Sequence, residues 1–301
     1  MRFLLPFCLV LLSACVDTKK ADLDAWSFQT RLNGGLRTDR DPSDAKLDAD
    51  ILQRNFRKIA FEFEEDPFGT GRQFDDGEHQ IPMIRRWEQE IRLSVAIDSG
   101  VKTSARRDTY AFMRRLKLIT GVDFKISNAY KVSKEQEESA NLLVFLGDGD
   151  FFDQFIAAFY EDAKTWDAEN QEASAAILEF LDTWHASYSP CAGSLYTELG
   201  EDGETPNGKI IAAIVAIRTD LAEPNTQSCI EEELAQTMGL PNDSADVRPS
   251  MFNDDGEFAL MTRHDALLLQ ILYDNRLKAG MTPEQSMPIV RRIAAELLSE
   301  G

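Results

Sequence analysis

Cys229-Ile230-Glu231-Glu232-Glu233-Leu234-Ala235-Gln236-Thr237-Met238-Gly239-Leu240-Pro241-Asn242-Asp243 is the stretch on which the reading of this chain turns. Wound as an α-helix over 229–239, it sets Ile230, Leu234 and Met238 on one stripe, because residues four apart lie one above another. That face is expected to be buried. Glu232, Gln236 and Gly239 share a second face, with Glu233 at its margin. Taken alone, the helix reads as amphipathic, with a solvated acidic side. Its surroundings decide whether it is more than that.

Upstream, Lys209 to Ile217 (KIIAAIVAI) is a continuous apolar run of strand length that feeds the helix. Trp87 to Ile97 alternates as a strand does. Ser104 to Thr120 is an amphipathic helix with Ser104 as N-cap and Gly121 as its stop. Short strands follow over 124–127 and 141–146, and residues 151–185 read as a helical insertion. A helix over Leu47–Phe63 precedes this region, and helices over Arg263–Tyr273 and Pro283–Leu298 close the chain. The expectation is an α+β fold: a mixed sheet of about four strands (near 87–97, 124–127, 141–146 and 209–217) packed on the helix 229–239.

The central stretch resembles the active-site helix of zinc peptidases. Their frame is His-Glu-x-x-His on one helical face, with the glutamate as general base. Here the frame falls on Glu232, Glu233 and Gln236, with Gly239-Leu240 just beyond and Asn242 at the spacing of a third ligand. Pro249-Ser250-Met251-Phe252-Asn253 and the helix from His264-Asp265 to Leu272-Tyr273 are similar to the Ser-x-Met turn and following helix of matrixin- and serralysin-type metzincins. The resemblance implies a zincin-like domain with a core over about 85–275. The segment E-E-L-x-Q-x-x-G-L-P-N-D also resembles a family of bacterial envelope lipoproteins of unknown function. The zincin resemblance would make Glu233 the general base and Glu232, Gln236 and Asn242 the metal positions. Both histidine positions hold oxygen donors, and neutral amides are poor zinc ligands. Two readings follow. One is a pseudopeptidase that binds or scaffolds without a cofactor. The other is a peptidase using a divalent metal, with an oxygen-only set that suits calcium, magnesium or manganese.

The N-terminus carries an address. Met1-Arg2, the apolar run Phe3–Leu12 and then Leu12-Ser13-Ala14-Cys15 resemble a bacterial lipoprotein signal over 1–14, with Cys15 lipidated. Val16 follows the cysteine, which by the same resemblance favours the outer membrane. Residues 15–50 read as a flexible tether and 51–301 as one domain. Loss of Cys8 with the signal leaves three cysteines, the acylated Cys15 and the pair Cys191 and Cys229, which in an oxidising compartment are expected to bond to each other. The 32 basic and 52 acidic side chains give a charge of −20, which excludes nucleic acid as a partner. The expected partners are the membrane, through Cys15, and an envelope protein or peptide.

Three histidines remain. His79 falls in a polar loop, His185 at a helix end, and His264 reads as an exposed helix-start residue beside Asp265, itself an N-terminal helix charge. Gly147-Asp148-Gly149-Asp150 reads as a polar turn after a strand; a calcium loop would need further ligands.

Overall fold

The computed structural model describes residues 18–62, 81–98, 103–126, 140–164, 168–187 and 189–299. The signal segment, Cys15 and His79 lie outside the described residues. Among those described, eight helices surround one six-stranded, mostly parallel sheet. The strands are β1 (Arg86–Trp87), β2 (Ile91–Ile97), β3 (Phe124–Ile126), β4 (Leu142–Gly147), β5 (Cys191–Leu199) and β6 (Pro206–Arg218). The order runs β1-β6-β4-β2-β3, and β5 lies antiparallel along β6. The expected four strands are therefore six. Trp87–Ile97 splits into β1 and β2 around Glu88–Glu90, and β5 has no clean apolar alternation to announce it.

The strands alternate their side chains between two cores, as a sheet covered on both faces requires. Leu93, Leu142, Val144, Leu146, Val215 and Ile217 pack on one face with α2 (Ala49–Phe61), α3 (Thr103–Thr120), α6 (Asn225–Gln236), α7 (Arg263–Tyr273) and α8 (Pro283–Ser299). Ala96, Phe145, Ile214 and Ala216 pack on the other with α4 (Gly149–Ala163) and α5 (Ala168–Ala186). The helical insertion is thus two helices that close the second face. Asp148 caps α4, accepting the Phe151 N–H at 2.8 Å, so the Gly147–Asp150 segment is a capped turn.

Residues 18–48 differ from the expected irregular tether. Thr18–Leu32 forms helix α1, which buries Leu23 and Ser27. Leu36 and Arg37 then hydrogen-bond to Gly256 and Glu257 through the backbone. Arg37 pairs with Asp39, Asp44 and Glu257, and Arg40 reaches Glu231 in α6. The segment docks through ion pairs and backbone hydrogen bonds. Hydrophobic periodicity does not reveal such contacts.

Both ends of α6 are fixed. Cys191 in β5 and Cys229 in α6 form the expected disulfide, with 5.7 Å between their Cα atoms. At the other end Gly239 has φ +110°, and a Cβ there would stand 2.0 Å from the Arg85 carbonyl oxygen. Only glycine fits that turn. The turn that follows the helix is held by side chains: Trp87 Nε1 donates to Thr237 O at 2.8 Å and Tyr273 Oη to Met238 O at 2.8 Å.

Candidate functional site

The three consecutive glutamates of α6 have three different environments. Glu231 is buried and fully engaged. Its carboxylate accepts both Arg40 Nη atoms at 2.6 and 2.7 Å, Gln227 Nε2 at 3.1 Å and the Met261 N–H at 3.0 Å. Arg115 Nη1 stands 3.7 Å away, and burial followed by repulsion from Arg40 pushes its guanidinium down. Glu231 therefore clamps the Arg37–Arg40 segment and the Met261 loop onto the helix.

Glu233 is buried on the β5 side. Its Oε2 lies 2.9 Å from where a Cβ on Gly193 would stand, so the glycine makes room for the carboxylate against the strand. Among the described residues β5 pairs with β6 alone, so Glu233 sits beside the sheet's antiparallel edge.

Glu232 is half-buried, and its carboxyl is held well above the usual range. Burial is the first cause; Asp243, Glu233, Asp254 and Asp265 add repulsion in that order. Burial likewise raises Asp254. Gln236 Nε2 donates to Asp243 Oδ2 at 2.8 Å. Asn242 is turned to the end of α2: its Nδ2 donates to Lys58 O at 3.1 Å and its N–H to Ile59 O at 3.3 Å. The sequence spacing singles out Asn242, yet the next residue, Asp243, meets Gln236. Only its adjacency to Asn242 pointed that way. No sequence signal marked Asp254.

His264 is fully buried rather than exposed. Its Nδ1 pairs with Asp265 Oδ1 at 3.2 Å and its Nε2 with Asn55 Nδ2 at 3.0 Å. Because Asn55 Nδ2 can only donate, the ring proton is assigned to Nδ1. Asp265 is also more than a helix-end charge. It completes a capping box with Thr262 and accepts from Ser250 Oγ at 2.5 Å, Met251 N–H at 3.2 Å and Thr262 N–H at 2.8 Å. It thus locks the Ser250-Met251 turn to the start of α7. His185 lies elsewhere, bonded to Asp153 at 2.9 Å.

The donor set around Glu232 does not fit zinc. It offers one carboxyl and one amide where zinc peptidases have two imidazoles, and the amide donates to Asp243. His264 is bonded through both ring nitrogens. Among the described residues no cluster of His, Cys, Asp and Glu has a metal-holding arrangement.

A family described as a protein of unknown function, DUF2927, matches residues 49–292. The chain belongs to the DUF2927 family. No curated protein matches it. The DUF2927 span runs from the first residue of α2 into α8, so it contains Glu231, Glu232, Glu233, the Asp265 hub and the disulfide. It leaves α1 outside.

Proposed function

We propose that this DUF2927 protein is a lipid-anchored protein of the bacterial envelope, held at the outer membrane through Cys15, that binds an extended peptide or protein segment in a zincin-like cleft without zinc catalysis. The observation that carries the reading is the chemistry at the two histidine positions. Glu232 and Gln236 stand where the zinc frame has its two imidazoles, and the Gln236 side chain donates to Asp243. A carboxyl and a neutral amide at those positions are poor substitutes for imidazole nitrogen as zinc ligands. The scaffold reading is supported by α6 following β6, by the Gly239 turn, and by the Ser250-Met251 turn locked ahead of α7. Among the described residues β5 forms strand pairs with β6 alone and runs past Glu233, and binding along an outer strand is a common way to hold an extended segment.

The test uses the full chain and a randomised peptide library. Peptides that co-elute with the protein in gel filtration are identified by mass spectrometry, in parallel with elemental analysis of the protein. Intact peptides should co-elute and metal should stay far below one per chain. Cleavage products that vanish in Glu233→Gln, or one metal per chain lost in Glu232→Gln, would overturn the reading in favour of a metal-dependent peptidase. Recovery of no peptide would overturn the binding role.

A further inference from the structure

Helix α1 is turned the wrong way round for a helix in water. Its inner face is held to the body by buried Leu23 and Ser27, by Arg31 Nη1 donating to Glu223 O at 2.7 Å, and by Lys19 Nζ donating to His185 O. On the opposite side Ala21, Ala25, Phe28 and Leu32 follow a 4-3-4 spacing, which places them on one stripe. All four are exposed, Phe28 at 61% and Leu32 at 65%. The apolar stripe therefore faces outward.

The position of the helix says what covers that stripe. Thr18, its first residue, follows Cys15 by three positions, and three extended residues span at most about 11 Å. A helix of 15 residues is about 22 Å long. If Cys15 carries lipid, the start of α1 lies within that short reach of the bilayer, and a helix lying along the surface brings the whole stripe to it. α1 carries Lys19, Lys20 and Arg31 against Asp22 and Asp24, so it offers anionic headgroups little net charge and its apolar stripe is the main contact.

We infer that α1 is an interfacial helix, which inserts Phe28 and Leu32 into the headgroup–acyl boundary of a zwitterionic bilayer and sets the orientation of the domain above it. The inference rests on the anchor reading of Cys15.

The test places a fluorophore on Ala25→Cys, a free thiol in a chain whose Cys191 and Cys229 are bonded to each other and whose Cys15 is acylated. Full-length lipidated protein is reconstituted into phosphatidylcholine vesicles with brominated acyl chains. Mass spectrometry of the N-terminal peptide reports the anchor separately. Bromine quenching and a blue shift of the label are expected, and both should disappear with Phe28→Glu plus Leu32→Glu while the protein stays on the vesicles. An acylated protein whose label is not quenched would overturn the inference and leave the anchor intact; a second copy or a protein covering the stripe would give that result. Quenching that survives the double substitution would also overturn it. An N-terminal peptide without lipid would remove the anchor and the inference together.

Discussion

Replacing Asp265 separates its role as a buried hub from that of a simple helix-end charge. The side chain is fully buried and receives Ser250 Oγ, Met251 N–H, Thr262 N–H, Thr262 Oγ1 and His264 Nδ1. In Asp265→Ala the single Thr262 hydroxyl proton goes to Pro249 O, 2.9 Å away, and the Ser250 hydroxyl can rotate. The two backbone N–H groups and His264 Nδ1–H are stranded. A buried donor without a partner costs about 1–3 kcal/mol. The lower part of that range applies, because a water can enter the vacated space and a carboxylate no longer has to be desolvated. The expected loss is about 4 kcal/mol. For a domain of this size that lowers Tm by roughly 8–16 °C.

Asp265→Asn gives the sharper comparison. Its remaining oxygen still accepts Met251 and Thr262. The new amide faces His264 Nδ1, which is accommodated if the ring proton moves to Nε2 and Asn55 turns its Oδ1 toward it. Asn55 Oδ1 has no hydrogen-bond partner among the described residues, and turning it gives up only the 3.4 Å contact to Arg248 O. The expected loss is about 1 kcal/mol, the weakening of charge-assisted bonds to neutral ones. Urea unfolding followed by tryptophan fluorescence reads both variants, with an unchanged m-value as the check on two-state behaviour. Equal losses for the alanine and asparagine variants, or a loss below about 1 kcal/mol for alanine, would refute the hub and its tautomer assignment.

Glu232→Gln should change the pH dependence of stability. Because the folded-state carboxyl value is raised, the native state binds a proton that the unfolded chain releases near 4.5. That contribution is full below the unfolded value and is lost as pH rises through the folded one. The variant should therefore match wild type in acid and exceed it increasingly as pH rises above the unfolded value. Destabilisation at neutral pH would point to a bound cation. Reduction of Cys191–Cys229, which are 38 residues apart, should cost about 4 kcal/mol by the chain-entropy argument. Denaturant melts with and without reductant check it; a shift under about 1 kcal/mol would mean that the β5–α6 junction is held by packing alone.

The parts of the fold legible in the sequence are those where one residue type dominates the local outcome. Gly239 had to be glycine because Arg85 O lies against it, and the apolar run at 209–217 had to be a strand because from Ala213 to Ile217 both of its faces carry core. Asn242 and Asp243 illustrate the limit. Both are short polar residues in the same turn, and only the position of the α2 C-terminus, supplied by a helix nearly two hundred residues earlier, decides which one faces Gln236. The same holds for Glu231, Glu232 and Glu233. Their order along the helix fixes directions 100° apart, but their chemistry comes from Arg40, Asp243 and Gly193, partners from three other segments. A ligand motif read along the chain therefore supports a scaffold more strongly than a reaction: the turn and strand act locally, whereas the charge state of Glu232 depends on acids that no spacing rule brings together.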